Sequence, residues 1–138
     1  MNVEDICTRE VEVIRSNEAL AKAAIQMRDR KVGSLIVVDP QATVRVVGIL
    51  TDRDILCGQI TRKSDLHCLT VEDVMTCDPL TVTEGTDVSE VIRALYGMGV
   101  RRAPVLNGQG QLIGIVTLDD LVPAVAQQLL SCAQLLAG

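Results

Sequence analysis

The chain repeats itself. VEDICTRE at 3–10 returns as VEDVMTCD at 71–78, an offset of 71 − 3 = 68 residues. At the same offset Leu20 falls on Val88, Met27 on Leu95, and SLIVV at 34–38 on RAPVL at 102–106. The offset then drops to 66, because the connection at 39–47 is two residues longer than the one at 107–113, and GILTDRDIL at 48–56 returns as GIVTLDDLV at 114–122. A repeat of about 60 residues constrains the fold more than any local motif, since both copies must form the same supersecondary unit and each is marginal alone.

In the second copy, 80–83 reads as a short strand, and Thr86 caps a helix that begins at Asp87. Val88, Val91, Ile92 and Leu95 recur on that helix at three- and four-residue spacing, and Gly97 and Gly99 stop it. APVL forms a buried strand, NGQG a tight turn and QLIGIVT the return strand of a hairpin. Thr117 opens the last helix, which carries Leu121, Val125, Leu129 and Leu136 near one face, with Ala124 and Ala133 beside them. The first copy predicts a helix over 18–30, strands over 34–38 and 44–50, and a closing helix over 52–59. CGQITRKSDLHCLT at 57–70 is polar and reads as the connection. The expected fold class is α/β (α+β): a first motif at 1–60, a linker at 61–70, and a second motif with a C-terminal helix at 71–138. Each motif is βαββα, and two small sheets pack together with the helices outside.

Thirteen Lys plus Arg against eighteen Asp plus Glu give a net charge of −5, which repels a polyanion unless the basic residues gather on one face. With no Trp, no Phe and only Tyr96, base-stacking platforms are missing too, and no nucleic-acid partner is expected. No apolar run approaches the roughly 18 residues that span a bilayer, so membrane insertion is not expected. MNVEDICTREVEVIR lacks the basic-then-apolar secretory pattern, which predicts a cytoplasmic location. Five cysteines without CxxC spacing indicate neither a disulfide framework nor a zinc site. His67 and Cys68, with Cys77 and Asp78 nearby, sit in no recognised ligand spacing, so no metal is assigned. An enzyme needs a nucleophile with its base, or paired carboxylates across a cleft, and the only histidine lies in the linker, so no catalytic residue is assigned.

In each copy an apolar strand runs into a helix that opens on Thr and carries Asp three residues later: Thr51 with Asp54, and Thr117 with Asp120. One reading is a capping box, in which the Thr satisfies helix N–H groups and the Asp favours the positive end of the helix. The other is a ligand site. Exposed N–H groups and a hydroxyl receive a phosphate, and a carboxylate one turn along accepts both hydroxyls of a ribose. The two readings are compatible.

The repeat spacing, the G-h-h-T-x-x-D corners and the VEDVMT lead-in resemble a tandem pair of CBS domains, or Bateman module, over residues 3 to about 123. No catalytic domain is expected outside that span, so the chain resembles the small stand-alone CBS-pair proteins and not inosine monophosphate dehydrogenase or a transporter that carries the pair as an appendage. The resemblance implies a pseudo-twofold pair with two clefts, a homodimer of modules, and no obligatory cofactor. Its regulatory ligands would be adenosine compounds: AMP, ADP, ATP, S-adenosylmethionine or NAD.

Carried over by residue, one cleft would take Ile49, Thr51, Arg53 and Asp54, with Leu80, Val100, Arg101 and Arg102. The other would take Ile115, Thr117, Asp119 and Asp120, with Glu12, Val32, Gly33 and Ser34. Three arginines line the first, whereas Glu12 and Asp119 stand at matching places in the second, so the first is expected to hold an anionic ligand better. Arg28, Arg30 and Lys31, at a helix end, complement its dipole and receive no ligand role. The expected function is a regulator that senses adenosine nucleotides and alters an unidentified partner protein or its own assembly. The alternative is a ligand-independent dimerisation or docking scaffold, in which the corners only cap helices and VPAVAQQLLSCAQLLAG meets another subunit.

Overall fold

The computed structural model describes all of Met1–Gly138 and divides into two compact units, one of Val11–Pro79 and one of Met1–Glu10 with Leu80–Gly138. The units are not the sequence repeats. Each is a βαββα repeat to which the lead-in of the other repeat has been added, so the boundaries at 60 and 71 divide the sequence but not the packed bodies.

In the 11–79 unit, β1 (Val13–Arg15) leads to α1 (Leu20–Arg30), the hairpin of β2 (Ser34–Val38) and β3 (Val46–Thr51), and then α2 (Asp52–Arg62). A single turn, α3 (Val71–Val74), and the edge strand β4 (Thr76–Cys77) complete it. The sheet order is β1-β2-β3-β4, with β1 parallel to β2 and the other pairs antiparallel. Leu20, Leu35, Val37, Leu50 and Val71 fill the core. The second unit has β5 (Val82–Thr83), α4 (Val88–Met98), β6 (Arg102–Leu106), β7 (Leu112–Thr117) and α5 (Leu118–Ala137), with a sheet ordered β5-β6-β7. Its core holds Val3, Val91, Val105, Val116 and Leu121. The class is mixed α/β, with two small sheets and five helices. No helix is long and apolar enough to cross a membrane.

The repeat is exact in register. Ser34 faces Thr51 as Arg102 faces Thr117, and both hairpins slip at the same place, between Val37 and Val38 and between Val105 and Leu106. The borrowed lead-ins are also equivalent. Val71 and Val3 are both 0% exposed, each in the core of the unit built on the other repeat. Leu20 N–H donates to the Leu69 carbonyl at 2.8 Å, and Val88 N–H to the Met1 carbonyl at 3.0 Å, so each lead-in also satisfies the first turn of a helix. Thr76 pairs with Ile49, and Thr8 with Ile115. These approaches explain the glycine of each corner. A Cβ on Gly48 would lie 2.7 Å from Met75 Sδ and 2.8 Å from the Thr76 carbonyl oxygen, and one on Gly114 would lie 2.8 Å from the Thr8 carbonyl oxygen.

Several boundaries differ from expectation. The strand expected over 80–83 is only Val82–Thr83. In the first unit Ile36 N–H donates to the Glu12 carbonyl at 3.0 Å, but the equivalent residue is Pro104, which has no N–H, so pairing starts one residue later, at Val82. β3 begins at Val46 and not at 44, because 42–45 form a turn closed by Arg45 N–H to the Ala42 carbonyl at 2.8 Å. α1 begins at Leu20 and not at 18, since Glu18 N–H is bonded to the Arg15 carbonyl. Asp87, not Thr86, caps α4, accepting Ser89 N–H at 3.0 Å. The 57–70 stretch is more than a connection: α2 runs on to Arg62, Leu69 is only 7% exposed, and the Leu66 and Leu69 carbonyls cap α1.

Candidate functional site

Each corner forms where the last residue of a hairpin strand becomes the N-cap of a helix. Thr51 has extended backbone, and its hydroxyl accepts the Asp54 N–H at 3.0 Å while its own N–H donates to Asp54 Oδ2 at 3.0 Å. Both residues are half-buried, and Asp54 Oδ1 accepts no hydrogen bond from the protein. At the second corner Thr117 N–H donates to Asp120 Oδ2 at 3.0 Å and the Thr117 hydroxyl lies 3.3 Å from the same oxygen. Here Oδ1 is taken, because the Thr8 hydroxyl donates to it at 3.1 Å.

The turn after the first helix of each unit meets its corner. The Gly33 carbonyl accepts Asp52 N–H at 3.0 Å, and Ser34 stands opposite Thr51. The Arg101 carbonyl accepts Leu118 N–H at 3.1 Å, and Arg102 stands opposite Thr117. Val32 and Val100 donate N–H to the carbonyls of Met27 and Leu95, both at 3.1 Å, closing the preceding helices. Ile49 is buried and Ile115 half-buried, each on its hairpin strand, and Leu80 packs against the core of its unit. Within a unit, therefore, Thr51, Arg53 and Asp54 share ground with Glu12, Val32, Gly33 and Ser34, and Thr117, Asp119 and Asp120 with Leu80, Val100, Arg101 and Arg102.

The expectation of exposed N–H groups at the first corner is corrected. Asp52 N–H is bonded to Gly33, Arg53 N–H to Asp52 Oδ1 at 2.8 Å, and Asp54 N–H to Thr51, so the backbone donors are already satisfied. An anion there must be met by side chains. Arg53, Arg101 and Arg102 take part in no ion pair. Glu12, by contrast, accepts from Gln26 at 3.1 Å and lies 3.8 Å from Arg30, so that arginine pairs with a carboxylate as well as ending α1. A depression of about 250 Å³ lies against Asp54, lined also by Cys57, Thr61, Arg62, Asp73 and Val74. Hydrogen bonds from the Thr70 N–H and hydroxyl hold the Asp73 carboxyl below its ordinary pKa. Burial raises the Cys7 thiol, which keeps it protonated beside Gly114. No group of three His, Cys, Asp or Glu side chains could hold a metal ion.

Thr8 is the site residue that sequence reasoning missed. The signal was present, since Thr8 and Thr76 are equivalent in the VEDICT and VEDVMT lead-ins, but its meaning depends on a contact across 112 residues.

A pair of βαββα units, each with a Thr-x-x-Asp corner, defines a class, and comparison with known proteins agrees. The CBS domain family matches residues 3–58 and 71–127, and the chain belongs to that family. It is 39% identical over 123 residues, 89% of this chain, to an uncharacterized 17.7 kDa protein of Acidianus ambivalens, of which it spans 72%. It spans 61% of a relative from Methanopyrus kandleri. Among solved structures it is similar to CBSX2 of Arabidopsis thaliana in complex with AMP, with a TM-score of 0.78, 30% identity, and 91% of this chain and 96% of that one covered. It is also similar to the CBS domain pair of protein MJ0100 in complex with 5′-methylthioadenosine and S-adenosyl-L-methionine, with a TM-score of 0.77, 25% identity, and 91% and 99% covered.

Proposed function

We propose that the protein is a regulatory module that binds an adenosine compound, with the Thr51–Asp54 corner as its stronger site. The observation that carries this reading is Asp54 Oδ1, an unengaged carboxylate oxygen held rigid by its partner oxygen's bond to Thr51 N–H. A ribose hydroxyl donates to that oxygen, the Thr51 hydroxyl and the free guanidinium of Arg53 meet the phosphate, and Ile49 supplies apolar contact for the adenine. AMP, ADP, ATP and S-adenosylmethionine share the adenosine that these groups recognise. The AMP, methylthioadenosine and S-adenosylmethionine complexes of CBS-pair relatives support the ligand class. A ligand bound only to the folded state stabilises it by about 2.7 kcal/mol at a hundredfold excess over Kd, and its occupancy alters a partner protein or the module's own assembly.

A second reading, a ligand-independent dimerisation scaffold, is favoured by α5. Leu118, Val122, Val125, Leu129, Cys132 and Leu136 follow alternating four- and three-residue steps, and no charged residue follows Asp120 on that helix. Such a seam suits pairing with a second copy of the chain. Calorimetric titration with AMP, ADP, ATP, NAD and S-adenosylmethionine decides between the readings: at least one binds a sensor, and none binds a scaffold. Arg53→Ala is expected to weaken AMP more than adenosine, because the guanidinium acts on the phosphate.

A further inference from the structure

The two corners share a backbone but not a hydrogen-bonding state. Both oxygens of Asp120 are engaged, Oδ2 by Thr117 and Oδ1 by the Thr8 hydroxyl at 3.1 Å. Thr8 is firmly placed for this, since its N–H donates to the Ile115 carbonyl at 2.9 Å and its own carbonyl accepts Ile115 N–H at 2.9 Å. Gly114 provides the space for that approach. Thr76 holds the same register position opposite Ile49 in the other unit, yet its hydroxyl makes no bond to Asp54.

We infer that Thr8 determines ligand stoichiometry: its hydroxyl occupies the Asp120 oxygen that a ribose needs, so the chain takes one adenosine ligand strongly, at the Thr51–Asp54 corner. This rests on the ligand reading above. A ribose entering the second corner must displace the Thr8 hydroxyl or share Asp120 Oδ1 with it, and either way its gain is smaller than at an unengaged oxygen. Loss of one such bond to a charged group weakens binding roughly tenfold to a hundredfold. Asp119 stands where the first corner has Arg53, which adds repulsion to any phosphate.

The test is calorimetric titration with AMP, ATP and S-adenosylmethionine on the full chain and on Thr8→Val, which keeps the branched shape and removes the hydroxyl. The wild type is expected to show one strong site. Thr8→Val is expected to tighten the second site roughly tenfold or more, and Thr8→Ala, a second variant in case valine disturbs folding, is expected to do the same. Thr8→Ser, which restores the hydroxyl, returns the wild-type isotherm, and adding Asp120→Ala to Thr8→Val abolishes the second site. Two equal sites in the wild type, or a second site unmoved in both hydroxyl-less variants, overturns the inference and leaves the ligand reading intact. Silence with all three compounds in every variant overturns the ligand reading and this inference with it.

Discussion

The Thr51 hydroxyl accepts the Asp54 N–H at 3.0 Å and the Thr51 N–H donates back to Asp54 Oδ2 at 3.0 Å, so each residue satisfies the other and one carboxylate oxygen remains over. A helix cap therefore leaves a free carboxylate acceptor as its by-product. Replacing Asp54 by Ala removes one side of the capping box and is expected to cost about 1 kcal/mol of stability without unfolding the chain, as measured by urea unfolding monitored by circular dichroism.

Gly48 and Gly114 admit the borrowed lead-ins, and alanine at either position is expected to destabilise by about 1–3 kcal/mol because the obstructing atoms include backbone oxygens. Gly97, on α4, has nothing within 4 Å of its imagined Cβ. Gly97→Ala is expected to stabilise by up to about 1 kcal/mol in the same urea titration. Equal effects at the three positions would contradict the account of the corner glycines.

Lys31 ends α1 at φ 56°, and Gly99 ends α4 at the equivalent place with φ 66°. Only one of the two copies has the residue that tolerates this conformation without strain. Lys31→Gly is expected to raise stability by about 1 kcal/mol, and Gly99→Lys to lower it by a similar amount, read from unfolding midpoints.

Asp87 caps α4, and the hydroxyl and N–H of Ser89 hold its carboxyl below the ordinary value of 3.8. A carboxyl with a depressed folded pKa contributes stability that is fully present above the unfolded value and is lost as pH falls through the folded value. The stability difference between wild type and Asp87→Ala should therefore be constant from neutral pH down to the unfolded value and shrink below it. A difference that grows on acidification would show the sign to be wrong.

The helices and hairpins were legible because the repeat reports each of them twice: Val88, Val91 and Leu95 lie buried where the periodicity of α4 put them. Strand β5 was over-read because the consequence of Pro104 lies in a missing bond to Leu80, on a strand distant in sequence. The 57–70 stretch was under-read for the opposite reason. Its polar side chains suggest solvent, but its backbone carbonyls cap α1, and backbone carries no compositional signal. At the site, the Thr and Asp of each corner could be read from spacing, whereas the occupancy of their oxygens could not. Thr8 and Asp120 are joined only by the fold.

The most direct measurement is a thermal-shift series with AMP, ADP, ATP, NAD and S-adenosylmethionine on wild type, Asp54→Ala and Asp120→Ala. At least one compound is predicted to raise the wild-type melting temperature, with the rise lost in Asp54→Ala and kept in Asp120→Ala. No rise with any compound, or a rise that survives in Asp54→Ala and vanishes in Asp120→Ala, would contradict the assignment of the Thr51–Asp54 corner as the ligand site.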